Sequence, residues 1–205
     1  MAKETAHQIG TPLSSLIGWL EILKMENIEE STIIEIEKDI TRLQTITDRF
    51  SKIGSEPVLE KRDIVEDTKN TVDYLQTRVS QQVNFTFKAP EHPIYVEINP
   101  ALHSWTIENL VKNAIDAMKG KGSLNIIISE LEDIVKISIT DSGKGIPKNQ
   151  FTKVFEPGFT TKKRGWGLGL SLTKRIVQEY HKGKIKVAHS EIGKGTTMQI
   201  SYKTA

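Results

Sequence analysis

The chain has 205 residues and a formal net charge of +2, with 28 Lys and Arg set against 26 Asp and Glu. These charges are mixed along the chain instead of gathered into basic tracts, which argues against a nucleic-acid partner. The absence of cysteine excludes disulfide frameworks and thiolate metal sites and suits a reducing, cytoplasmic setting. No apolar run approaches the ~20 residues needed to span a bilayer and no signal-peptide pattern opens the chain, so no membrane contact is expected of this segment itself.

From Ile9 to Leu23 the apolar residues Ile9, Leu13, Leu16, Leu20 and Leu23 recur at spacings of four and three, a heptad-like stripe on a helix. Asn27 to Glu30 breaks the pattern. A second stripe, Ile33, Ile36, Ile40, Leu43, Ile46, Phe50 and Ile53, follows, with Ser31 or Thr32 placed to cap its start and Gly54 to end it. Two such helices predict an antiparallel hairpin over residues 1–55. Its long apolar seams are expected to be covered by a second copy in a four-helix bundle, that is, a homodimer.

After Pro57 the pattern changes. Asp63 to Gln82 reads as an amphipathic helix, Val83 to Lys88 and Ile94 to Ile98 as strands, and Leu102 to Met118 as a helix. Ser123 to Ser129 and Ile134 to Thr140 read as strands, the latter alternating as a half-buried strand does. Leu170 to His181 reads as a helix, and Lys184 to Ser190 and Thr196 to Tyr202 as strands about a glycine turn. This order predicts an α+β sandwich over residues 56–205, a mixed sheet with helices on one face.

Three glycine-bearing elements carry the chemistry. Asp141-Ser142-Gly143-Lys144-Gly145 follows a strand, Gly165-Trp166-Gly167-Leu168-Gly169 precedes a helix, and Gly193-Lys194-Gly195-Thr196 lies in a hairpin. Glycine lets the backbone approach a ligand closely, and amides at a helix start suit phosphate oxygens. Each element alone is equally a turn. A Walker A loop and a Rossmann turn both fail to fit.

Together with Asn109-Leu110-Val111-Lys112-Asn113 on a helix, these elements resemble the nucleotide site of the GHKL superfamily. The order is the superfamily's: an N box at Asn109 to Asn113, a G1 box at Asp141 to Gly145, an F box at Phe151 to Phe155, a G2 box at Gly165 to Gly169, and a last glycine turn with Thr196. The resemblance implies ATP and Mg²⁺ as ligands. By it, Asp141 accepts a hydrogen bond from the adenine amino group and Asn113 ligates Mg²⁺, with Asn109 and Lys112 near the phosphates. Gly143, Gly145, Gly165, Gly167, Leu168, Gly169 and Thr196 shape the cradle. Residues 155–164 become a lid, on which Lys162 is the candidate for the terminal phosphate and Phe159 and Trp166 are candidate anchors.

Members of the superfamily that hydrolyse ATP, gyrase B and MutL among them, resemble one another in carrying Glu four residues before the metal Asn. Here Asn109 holds that position, and an amide is no general base; Glu108 is rotated about 100° away around the helix. The site is therefore expected to hand a phosphoryl group to a nucleophile supplied elsewhere.

His7-Gln8-Ile9-Gly10-Thr11-Pro12-Leu13 resembles the H box of sensor histidine kinases. The resemblance implies autophosphorylation of His7 and transfer to an aspartate on a response regulator receiver domain, with Thr11 positioning water for the regulator's dephosphorylation. Gln8 departs from the Glu or Asp common there and can orient the imidazole without accepting its proton; Glu4 is a substitute base. A GHKL-type ATPase, or a serine-directed kinase with a structural hairpin, is the alternative. The remaining histidines, His92, His103, His181 and His189, read as packing or surface residues.

Overall fold

A computed structural model describes residues 16–25, 29, 31–34, 36–37, 40, 57–161 and 167–205. The chain divides into two units, Met1–Pro57 and Val58–Ala205.

In the first unit, residues 16–25 are helical, as are 31–34, 36–37 and 40. Leu20 and Ile40 are buried together with Ile17 and Ile33 against them, and Lys24 pairs with both Glu21 and Glu37. The pairings Leu20 with Ile40 and Lys24 with Glu37 make the two segments antiparallel. The second segment starts earlier than the expected cap: the amides of Thr32 and Ile33 donate to the Glu29 carbonyl, so Ser31 and Thr32 sit within the first turn. Leu16, Trp19, Ile22, Met25 and Ile34 remain exposed, Trp19 at 61%.

The second unit begins with β1 (Glu60–Asp63) and α1 (Ile64–Gln76), then β2 (Val83–Lys88), β3 (Tyr95–Ile98), α2 (Pro100–Ala117), β4 (Gly122–Leu131) and β5 (Ile134–Asp141). Two 3₁₀ turns, Lys148–Gln150 and Lys153–Phe155, lead to α3 (Gly169–Arg175), which continues as a π turn, Ile176–Tyr180, before β6 (Lys184–Glu191) and β7 (Gly195–Lys203). Five strands form one sheet in the order β2-β4-β5-β7-β6, parallel only between β2 and β4, and β1 pairs with β3 in a separate ribbon.

The sheet's alternation fixes which face is dry. Val135, Ile137 and Ile139 on β5 are buried, with Leu124, Ile126 and Ile128 on β4 and Met198, Ile200 and Tyr202 on β7. Successive strand residues point to opposite faces, so every second one joins the core. Against this face α2 buries Leu102, Ile107, Leu110, Val111 and Ala114, and α1 buries Ile64, Val72 and Leu75. Each helix is started by a polar side chain: Asp63 accepts from the Val65 amide, and Asn99, ahead of Pro100, accepts from the Leu102 amide.

Candidate functional site

Asp141 is the last residue of β5 and the last step of its inward alternation, so the period that buries Val135, Ile137 and Ile139 also turns this carboxylate towards the helices. Its cross-strand neighbours are Leu124 on β4 and Thr196 on β7. Only 6% of Asp141 is exposed. Burial raises its carboxyl pKa; hydrogen bonds from the backbone amides of Gly143 and Thr196 pull the other way. One of these, from Gly143, spans 2.8 Å to Oδ1.

The glycines around Asp141 mark contacts between main chains. A Cβ on Gly143 would stand 2.6 Å from the Ala117 carbonyl carbon, and one on Gly195, whose φ is +120°, would stand 1.8 Å from the Asp141 carbonyl oxygen. Gly145 abuts the Glu191 carbonyl in the same way. Ser190 closes the corner: its hydroxyl accepts from the Ile146 amide at 2.7 Å, donates to the Gly195 carbonyl, and lies 2.9 Å from the Thr196 hydroxyl. The base of the cradle is thus built from β5, β6 and β7 and the end of α2.

Along α2, Asn109 and Asn113 share a face one turn apart, and both are half-buried. Asn109 Nδ2 donates to Thr173 Oγ1 at 2.8 Å, and that hydroxyl donates to the Gly169 carbonyl at 2.9 Å. A Cβ on Gly169 would meet Asn109 Oδ1 at 2.6 Å, which is why glycine opens α3 here. Lys112 points to the exposed side, where it pairs with Glu108. From Asn109 to Ala117 the helix rises about 12 Å at ~1.5 Å per residue. α2 therefore reaches from the first turn of α3 to the loop after Asp141, with Asn113 midway.

The segment after the second 3₁₀ turn is gathered at a neck, where the Gly158 amide donates to the Gly167 carbonyl at 3.1 Å and Gly167 has a φ of +65°. Phe159 packs against the core, and Lys144 Nζ donates to Thr161 Oγ1 at 2.8 Å. Leu168 precedes α3, its carbonyl accepting from the Ser171 hydroxyl and the Leu172 amide.

Of the residues expected from sequence, Asp141, Gly143, Gly145 and Thr196 come together at one end of α2. Asn109 and Gly169 meet at the other, with Asn113 between them. Lys112 turns away towards Glu108. His7, Gln8, Thr11, Lys162 and Gly165, with Trp166, lie outside the described residues. Sequence reasoning missed Thr173, Ser190 and the reach of Lys144. Thr173 stands one helical turn after Gly169, a spacing that could have flagged it; Ser190 and Lys144 act across the fold, and no local pattern marks them.

The donor set suits a nucleotide. A buried carboxylate fits an exocyclic amine, glycines hold the surrounding main chain in close contact around it, and amide oxygens on α2 are hard ligands acceptable to Mg²⁺. Among the described residues, no cluster of three His, Cys, Asp or Glu offers an all-protein metal site. No helix among the described residues is long and apolar enough to cross a membrane.

Comparison with known proteins gives a consistent picture. Sporulation kinase E of Bacillus subtilis (strain 168) is 31% identical over 98% of this chain, which covers 28% of that protein. The chain spans less than half the length of the curated relatives it matches. The catalytic domain of histidine kinase ThkA superposes on 71% of this chain and 95% of its own length, with a TM-score of 0.64 and 27% identity. A structure of ThkA in complex with the response regulator protein TrrA covers 98% of this chain and 60% of that one, with a TM-score of 0.69 and 25% identity. Residues 102–205, which hold every part of the cradle just described, match the histidine kinase-, DNA gyrase B- and HSP90-like ATPases, and the chain belongs to that family.

Proposed function

We propose that the chain is the catalytic portion of a sensor histidine kinase, in which residues 56–205 bind ATP and residues 1–55 form a dimerising hairpin bearing the acceptor, His7. A neutral imidazole nitrogen of His7 attacks the γ-phosphorus, the bond to the bridging oxygen breaks, and ADP leaves. The phosphohistidine then passes its phosphoryl group to an aspartate of a response regulator receiver domain, and Thr11 serves the regulator's dephosphorylation. The kinship with ThkA, solved with its regulator, supports such a partner. A cytoplasmic location fits this role.

The observation that carries the reading is the engagement of Asn109. Where hydrolysing relatives place a glutamate, this chain has an amide already hydrogen-bonded to Thr173, and the adjacent Glu108 is tied to Lys112 on the exposed side. Neither is placed to deprotonate water, so the phosphoryl group goes to an incoming nucleophile instead. Asn113 would hold Mg²⁺, which neutralises phosphate charge when bound. A second hairpin would cover part of the apolar side chains left exposed at Leu16, Trp19, Ile22 and Met25.

Incubation of the chain with γ-labelled ATP and Mg²⁺ tests the proposal. The expected label is acid-labile and alkali-stable, and His7→Ala abolishes it while leaving ATP affinity nearly intact. Free phosphate released without protein label, or a label retained in His7→Ala, contradicts the kinase reading.

A further inference from the structure

Lys144 lies within the Asp141 to Gly145 loop, yet nothing in base recognition requires its side chain. Its backbone is held from two sides: the amide donates to the Ala117 carbonyl at 3.1 Å, and the carbonyl accepts from the Gly193 amide at 2.9 Å. The next residue, Gly145, is packed on the Glu191 backbone, so this stretch cannot shift without disturbing both α2 and the β6–β7 turn. From that fixed point the side chain crosses to the neighbouring loop, where Nζ donates to Thr161 Oγ1 at 2.8 Å. The receiving loop is itself seated by Phe159 against the core and pinched between Gly158 and Gly167. Among the described residues, the Lys144 ammonium has the Thr161 hydroxyl as its hydrogen-bond partner.

We propose that Lys144 is a positioning residue for the nucleotide: by holding Thr161 it couples the loop that reads the base to the loop that flanks the phosphates. The inference rests on the nucleotide-binding reading above and adds to it a link between its two halves. A flexible lysine suits that link. Its stem follows small shifts of the loop, and its ammonium has three donors, so the bond to Thr161 can be kept as the loop adjusts. Base binding at Asp141 steadies the Lys144 backbone, Lys144 steadies Thr161, and residues 158–161 become ordered for the phosphates at less entropic cost.

Calorimetric titration of the full 205-residue chain with Mg²⁺ and AMPPNP, and separately with adenosine, tests this. Lys144→Met keeps the stem and Thr161→Val keeps the shape, and each should weaken Mg-AMPPNP binding about threefold, the scale of one exposed charged contact. The double variant should be no weaker than either single, because both remove the same bond. Adenosine, which has no phosphates, should bind all four proteins alike. Additive losses, a loss in Lys144→Met without one in Thr161→Val, no loss in either, or an equal loss for adenosine would each overturn the coupling. Failure of the unaltered chain to bind Mg-AMPPNP would instead overturn the nucleotide reading itself.

Discussion

At the end of the site proposed to read the base, main chain meets main chain, with Gly195 against the Asp141 carbonyl, Gly143 against Ala117 and Gly145 against Glu191. At the end proposed to take the phosphates, side-chain bonds carry more of the holding beside the main-chain neck of Gly158 and Gly167: Asn109 to Thr173, Thr173 to Gly169, and Lys144 to Thr161. The first kind of contact is set when the sheet forms and has no lower-energy alternative, because packed backbone cannot be re-sorted by rotamer changes. The second consists of single hydrogen bonds, each worth about 1 kcal/mol net, that can exchange partners as a polyanion arrives. Reading the base needs one fixed geometry, whereas accepting and releasing a triphosphate needs groups that move.

The contrast can be broken most forcefully at Gly195. An alanine there must find room 1.8 Å from a carbonyl oxygen at a φ of +120°, so the β6–β7 turn has to shift away from Asp141. Gly195→Ala is expected to cost ~3 kcal/mol or more of unfolding free energy and to abolish ATP binding. Chemical denaturation and calorimetry would show both. A variant with normal stability would mean that the base end is as adaptable as the phosphate end.

The helices that carry Asn109 and Gly169 rest on a buried pair of histidines, which makes their packing sensitive to acid. His103 bonds Thr68 at 2.9 Å and His181 Nε2 accepts from the Asn99 amide at 3.1 Å; both rings stand edge-on to Tyr202. Burial lowers their pKa values to about 3 for His103 and about 4 for His181; at His103 the His181 ring adds to the shift and Asp67 opposes it. The folded state holds these rings neutral while the unfolded chain takes up protons below pH ~6.5, so stability is unaffected above pH 7 and is lost as pH falls towards 4. His181 should account for about 2 kcal/mol of that loss at pH 5. His181→Gln, which keeps an acceptor for Asn99, should flatten the dependence of melting temperature on pH between 7 and 5. An equal slope in the variant would contradict the assignment. Asp141 titrates in the opposite sense: its raised carboxyl pKa costs stability when ionised, so acid relieves that cost while turning a charged acceptor into a weaker neutral one.

A smaller effect is expected at Thr173. Thr173→Val removes the hydroxyl that accepts from Asn109 and donates to Gly169, at roughly 1 kcal/mol. Its consequence should fall on Mg-AMPPNP affinity and leave adenosine affinity untouched. Loss of adenosine binding would show that the two ends are not built independently.

The sequence revealed one end of this site better than the other, for a physical reason. The alternation of Ile134 to Thr140 extends by one residue to Asp141, so strand period alone turns the carboxylate inward. The strand at Val83–Lys88 has the expected bounds, and the helix expected over Leu102–Met118 spans Pro100–Ala117. The helix expected to reach Gln82 stops at Gln76, with the Thr77 hydroxyl and amide folding back onto its last turn. β1 went unseen because Glu-Lys-Arg-Asp has no apolar alternation; its order comes from pairing with β3. The helix expected over Leu170–His181 has the right extent, but its second half is a π turn that no local period announces. The ties of Asn109 to Thr173, Ser190 to Ile146 and Lys144 to Thr161 were invisible, since they span 64, 44 and 17 positions, beyond the reach of any local period. Lys112, which its motif puts near the phosphates, pairs with Glu108 on the exposed side of α2.

The central claim is that a fixed carboxylate at the end of β5 reads the base. Inosine triphosphate differs from ATP at the 6 position, where a carbonyl replaces the amine, so it would set an acceptor against the Asp141 carboxylate. Calorimetric titration of the 205-residue chain with each triphosphate at pH 8 in the presence of Mg²⁺ measures the difference. ATP should bind at least ~100-fold more tightly, as expected for a site that must leave a buried polar group unpaired with the wrong base. Asp141→Asn, whose amide can donate to the 6-carbonyl, should narrow that gap. Equal affinities for ATP and inosine triphosphate in the unaltered chain would contradict the claim.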